Sequence, residues 1–187
     1  DRPPPGARND PWLVPVFADY FLAPTIEGLL EVRKETGATV AIVLGSIGNG
    51  SSEENRAWYA KLLQHEFDGR FAPSLKGRRV MECVDYLAYH YTIDGANWQE
   101  SLEDFRKWVG QGSIKGFFDT EEIGYQSTSA GTSGSIALRA FARYLHWWGK
   151  YGFTPDQVRV NYWNWGTPGF SVADPGGSYG AWMLSIA

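Results

Sequence analysis

Three carboxylates crowd the end of an apolar run in "GFFDTEEIG", Gly116 to Gly124, where Asp119, Glu121 and Glu122 follow Phe117 and Phe118. A carboxylate at the tip of a buried strand is either a solvated end or a group facing a pocket. In a pocket it can attack an electrophilic carbon or carry a proton. Side chains alternate along a strand, so Asp119 and Glu121 share one face while Thr120 and Glu122 share the other. Residues two apart are separated by about 6.6 Å along the strand. Asp119 therefore lies one layer deeper than Glu121 and suits holding a neighbouring group better than direct acid–base work. Other chemistry-bearing residues close similar runs: His90 and Tyr91, then Trp163 and Trp165, which point to one side. Asn49 and Asn55 follow an earlier run. Each has a plainer alternative: His90 as a satisfied core histidine, Tyr91 and the tryptophans as packing. Trp147 and Trp148 fall on a helix and read as packing. Asp119, Glu121 and His90 could imitate a metal site, but nothing adds ligand spacing, so neither metal nor cofactor is expected.

These residues must be held by an alternating series of elements. The first eleven residues, "DRPPPGARNDP", carry four prolines and no hydrophobic period, and read as a loop or linker. Thr25 to Gly37 is helical, with Ile26, Leu29, Leu30 and Arg33 on one side and Gly37 as the stop. Ala38 to Ser46, "ATVAIVLGS", is a strand buried on both faces. A helix follows from a Ser51–Glu54 capping box, with Trp58, Leu62 and Leu63 in period. "VDYLAYHYT" (Val84 to Thr92) is a second strand. A helix from an Asn97–Glu100 box then carries Leu102, Phe105 and Val109. "SIKGFFDTEE" is the third strand. The helix after it places Phe141, Leu145 and Trp148 in register and ends before Gly152. "VRVNYWNWG" (Val158 to Gly166) is the fourth strand.

Such alternation means α/β architecture with a parallel sheet and right-handed crossovers. "LGSIGNGSSEEN" lacks both G-x-G-x-x-G spacing and a Walker lysine, so it is a βα-loop and not a phosphate cradle. Polar and aromatic residues at the ends of several strands fit a (β/α)8 barrel. The net charge of −4, with charges scattered along 187 residues, excludes a basic nucleic-acid footprint. No apolar run long enough for a bilayer stands out, and no membrane partner is expected. One cysteine, Cys83, allows no internal disulfide and leaves the compartment open; a secreted protein is the preferred reading. The 9 Trp, 10 Tyr and 10 Phe suit sugar binding, since a flat ring covers the C–H face of a pyranose.

In this order the motifs resemble the second half of the clan of retaining (β/α)8 glycoside hydrolases, which includes many cellulases, xylosidases and arabinofuranosidases. "ATVAIVLGS" would be the fifth strand, "VDYLAYHYT" is similar to the sixth, "KGFFDTEEIG" to the seventh and "VNYWNWG" to the eighth. The resemblance covers residues 12–187 as the C-terminal half of a TIM barrel, with residues 1–11 as the loop after the fourth strand. It implies a glycosidase acting with retention on a polysaccharide or oligosaccharide, with Glu121 as nucleophile. His90, Tyr91, Trp163, Trp165 and Asn49 would bind substrate, and Asp119 and Glu122 would support them. Which of Tyr89 and Tyr91 takes the family role stays open. Retaining chemistry needs two carboxyl groups roughly 5–5.5 Å apart. The clan's acid/base Asn-Glu pair has no counterpart before the first helix, so that acid/base is expected from outside this chain. A second half-barrel, on another portion, another chain or a homodimer mate, is the implied partner. "GGSYGAWMLSIA" resembles the first turns of the eighth helix. A non-catalytic carbohydrate-binding or scaffold protein built on such a half-barrel is the alternative.

Overall fold

Gly37 ends the first helical run as its position requires. In the computed structural model, which describes residues 13–45, 53–89, 98–119 and 145–160, α1 (Leu13–Phe17) passes through a π-helical turn (Ala18–Leu22) into α2 (Ala23–Thr36). Gly37 takes φ 66°, and its N–H donates to the Arg33 carbonyl at 3.0 Å. A left-handed residue at this place closes a helix, and glycine adopts it without a Cβ penalty. The helix begins at Leu13, well before the expected Thr25. Pro24 lies inside this continuous run, just after the π-helical turn, whose wider i→i−5 bond from the Ala23 N–H to the Ala18 carbonyl directly precedes it.

The merged run Leu13–Thr36 spans 24 residues with a mean hydropathy of 1.4 in its most apolar window, long and apolar enough to cross a membrane. The expectation that no such run exists is therefore corrected. This helix is nonetheless tied to the domain. Asp19 Oδ2 lies 3.0 Å from His65 Nε2, and Asp19 Oδ1 accepts the Asp68 N–H at 3.0 Å. Glu27 Oε1 accepts the Ser74 hydroxyl at 2.6 Å. Val14, Ala18, Ala23 and Ile26 enter the core.

Four strands form one all-parallel sheet: β1 (Val43–Leu44), β2 (Tyr86–Tyr89), β3 (Gly116–Asp119) and β4 (Val158–Val160), in spatial order β1-β2-β3-β4. Between them come α3 (Glu53–Gln64), α4 (Trp98–Trp108) and α5, the helical residues 145–150. The mixed α/β class with a parallel sheet is as expected. Leu44, Leu87, Phe117 and Val158 stand in one register row, and this row faces the helices. The Phe117 ring lies 5.9 Å from Phe105 on α4, 5.9 Å from Trp148 on α5 and 4.9 Å from Phe153. Burying a side chain of this size contributes about 1.5–3 kcal/mol, so Phe117 pins two helices to the sheet at once. Tyr59 on α3 donates its hydroxyl to the Leu44 carbonyl at 3.3 Å. Trp58, Leu62, Leu63, Leu102, Phe105 and Val109 are buried as their spacing requires.

The opposite sheet face is different. Tyr86 meets Phe118 edge-on at 5.4 Å, and the Arg159 guanidinium lies 5.8 Å over the Tyr86 ring. Val43 is 39% exposed, Tyr86 and Phe118 are half-buried and Arg159 is exposed. Residues 38–46 were expected to be buried on both sides; among those described, Ile42 and Leu44 are buried while Ala41 and Val43 are exposed. Among the described residues the helices pack on one face, and Val43, Tyr86 and Arg159 on the other are more exposed than Leu44 and Leu87, although Ala88 there is buried.

The amino ends of the strands are clamped by Asp85. Its Oδ2 accepts the Ile42 N–H at 2.9 Å and pairs with Arg33 of α2, while its Oδ1 meets Lys115 Nζ at 3.0 Å. One carboxylate thus joins the residues just before β1 and β3. The long α3–β2 connection, which no motif announced, buries Phe67, Leu75, Val80 and Met81 around two 3-10 turns, Pro73–Leu75 and Val80–Glu82.

Candidate functional site

Parallel strands deliver their carboxyl ends to one edge, and the register fixes how level those ends are. Tyr89 pairs with Asp119, and Asp119 with Val160, so these residues of β2, β3 and β4 stand in one register row. Leu44, the last residue of β1, pairs one step lower with Leu87. Asp119 is therefore where the sequence placed it, at the end of the third strand.

His90, Tyr91, Glu121, Glu122, Trp163, Trp165 and Asn49 lie outside the described residues. They follow the four strands in the chain, Asn49 after β1, His90 and Tyr91 after β2, Glu121 and Glu122 after β3, and Trp163 and Trp165 after β4.

Tyr86, Phe118 and Arg159 were not singled out from sequence, yet they cluster on the uncovered face directly beneath that edge. Period-two alternation was the available signal. "VDYLAYHYT" puts Tyr86 out of phase with Leu87, and "GFF" puts Phe118 out of phase with Phe117. The cluster offers two aromatic rings and a cation. Helix placement behind the sheet is reinforced by Arg56 Nε on α3, which donates to Asp104 Oδ2 on α4 at 3.0 Å.

Among the other ionisable groups, Cys83 is buried and burial pushes its thiol up, the opposite of what a nucleophilic thiolate needs. Among the described residues, no group of three or more His, Cys, Asp or Glu is placed to hold a metal ion. No family model matches the chain, and no curated protein or solved structure is detectably similar to it.

Proposed function

We propose that this chain is part of a (β/α)8-barrel glycoside hydrolase that acts on a polysaccharide or oligosaccharide with retention, through a glutamate at the end of β3. Strand order supports the barrel reading. It runs β1-β2-β3-β4 without reversal, and the helices share one core on one face. A doubly wound sheet reverses its order and carries helices on both faces. An uncovered face bearing Tyr86, Phe118 and Arg159 is what a curved sheet would turn inward.

The observation that carries the site is the phase of the strands. Phe117 looks into the helix layer and Phe118 away from it. If the alternation runs on past β3, residue 122 falls in line with Phe118 and residue 121 in line with Phe117. By the same rule residue 90 falls in line with Tyr86, and residue 163 with Arg159. His90, Glu122 and Trp163 would then continue the phase of Tyr86, Phe118 and Arg159. The family resemblance names Glu121 as nucleophile; the phase of β3 favours its neighbour Glu122. In either case the acid/base comes from outside this chain, and a second half-barrel is the partner that would close the site.

Aryl glycosides with good leaving groups test this, because they need little acid assistance. The 187-residue chain should turn over at least one such substrate. Glu122→Gln should abolish turnover while Glu121→Gln lowers it modestly; the reverse pattern returns the role to Glu121. Oligosaccharide binding without turnover would favour the non-catalytic sugar-binding alternative. Neither turnover nor binding would remove the proposal.

A further inference from the structure

We draw no further inference here: the strongest candidate, the exposed aromatic patch of Phe17, Tyr20 and Phe21 on the first helical run with Phe71 of the α3–β2 connection against Tyr20, is an apolar surface for which nothing in the structure shows what covers it.

Discussion

Asp85 shows what a single residue does for a site it never touches. Burial opposes its charge, but the Ile42 N–H, Lys115 and Arg33 outweigh that cost and hold the carboxyl below the ordinary carboxylate range. It binds residues next to β1 and β3 while itself preceding β2, so it sets the height at which those strands begin. Aligned starts set the register in which Tyr89 faces Asp119. The folded pKa lies below the value of about 3.9 expected in an unfolded chain. The stabilisation is therefore complete above that value and is lost as the pH falls through the folded pKa. Asp85→Asn should cost about 1–3 kcal/mol at neutral pH. The gap between wild type and variant should narrow as the pH falls below about 3.9, where the unfolded chain takes up at Asp85 a proton that the folded chain resists. Urea midpoints at neutral pH and below that value measure this; an unchanged gap would show that the carboxylate's charge is not what stabilises. Arg33 was legible in sequence only as one side of an amphipathic helix. Its partner Asp85 was invisible there, because an ion pair 52 residues apart in the chain follows from the fold and leaves no local pattern.

Elements were read more securely than their limits. Each strand was found in the right order, and Gly37 and Gly152 both mark helix ends with positive φ. Buried positions of α3 and α4 followed from helical period alone. Helix starts fared worse: the run is already helical at Leu13 and passes through Pro15 and Pro24, residues of low helix propensity that hide it in sequence. Burial on both faces was inferred for Ala38 to Ser46 from a continuous apolar run, and such a run does not record whether a second layer exists. Of the expected site, the sheet places Asp119 on β3, while Glu121 and Glu122 lie outside the described residues. Gly116 is a third kind of case. Its φ is ordinary, but a Cβ there would lie 1.9 Å from the Gln157 carbonyl oxygen, a backbone atom that cannot rotate away. This closeness goes with the bond from the Phe117 N–H to the same oxygen, 2.8 Å long. Gly116→Ala should push β4 off β3 and cost about 1–3 kcal/mol, as overpacking does. A thermal scan would register it as a drop of several degrees; no drop would mean that β3 and β4 are less tightly joined than their register indicates.

At the scale of the whole molecule, the described helices cover one side of the sheet, and the other carries exposed and half-buried side chains beside a buried Ala88. Helices cover the row of Leu44, Leu87 and Phe117, whereas Val43, Tyr86, Phe118 and Arg159 face outward. Among the described residues, β1 and β4 each pair along one edge only. Unpaired edges and an open aromatic face invite association, and a net charge of −4 is a weak deterrent. Light scattering coupled to size exclusion should therefore give the isolated chain a mass above 20.9 kDa at tens of micromolar. Phe118→Thr removes an aromatic ring from the open face and keeps a β-branched residue in the strand. It leaves Phe117 and the helix-side core untouched, so it should shift the mass towards the monomer without changing the far-ultraviolet circular dichroism. Loss of both association and dichroism would point to unfolding, and a second open-face change, Val43→Thr, then separates the two explanations. A wild-type chain that runs as a single monomeric species would mean that the uncovered face is already satisfied within one molecule, and the need for a partner half-barrel would fall with it.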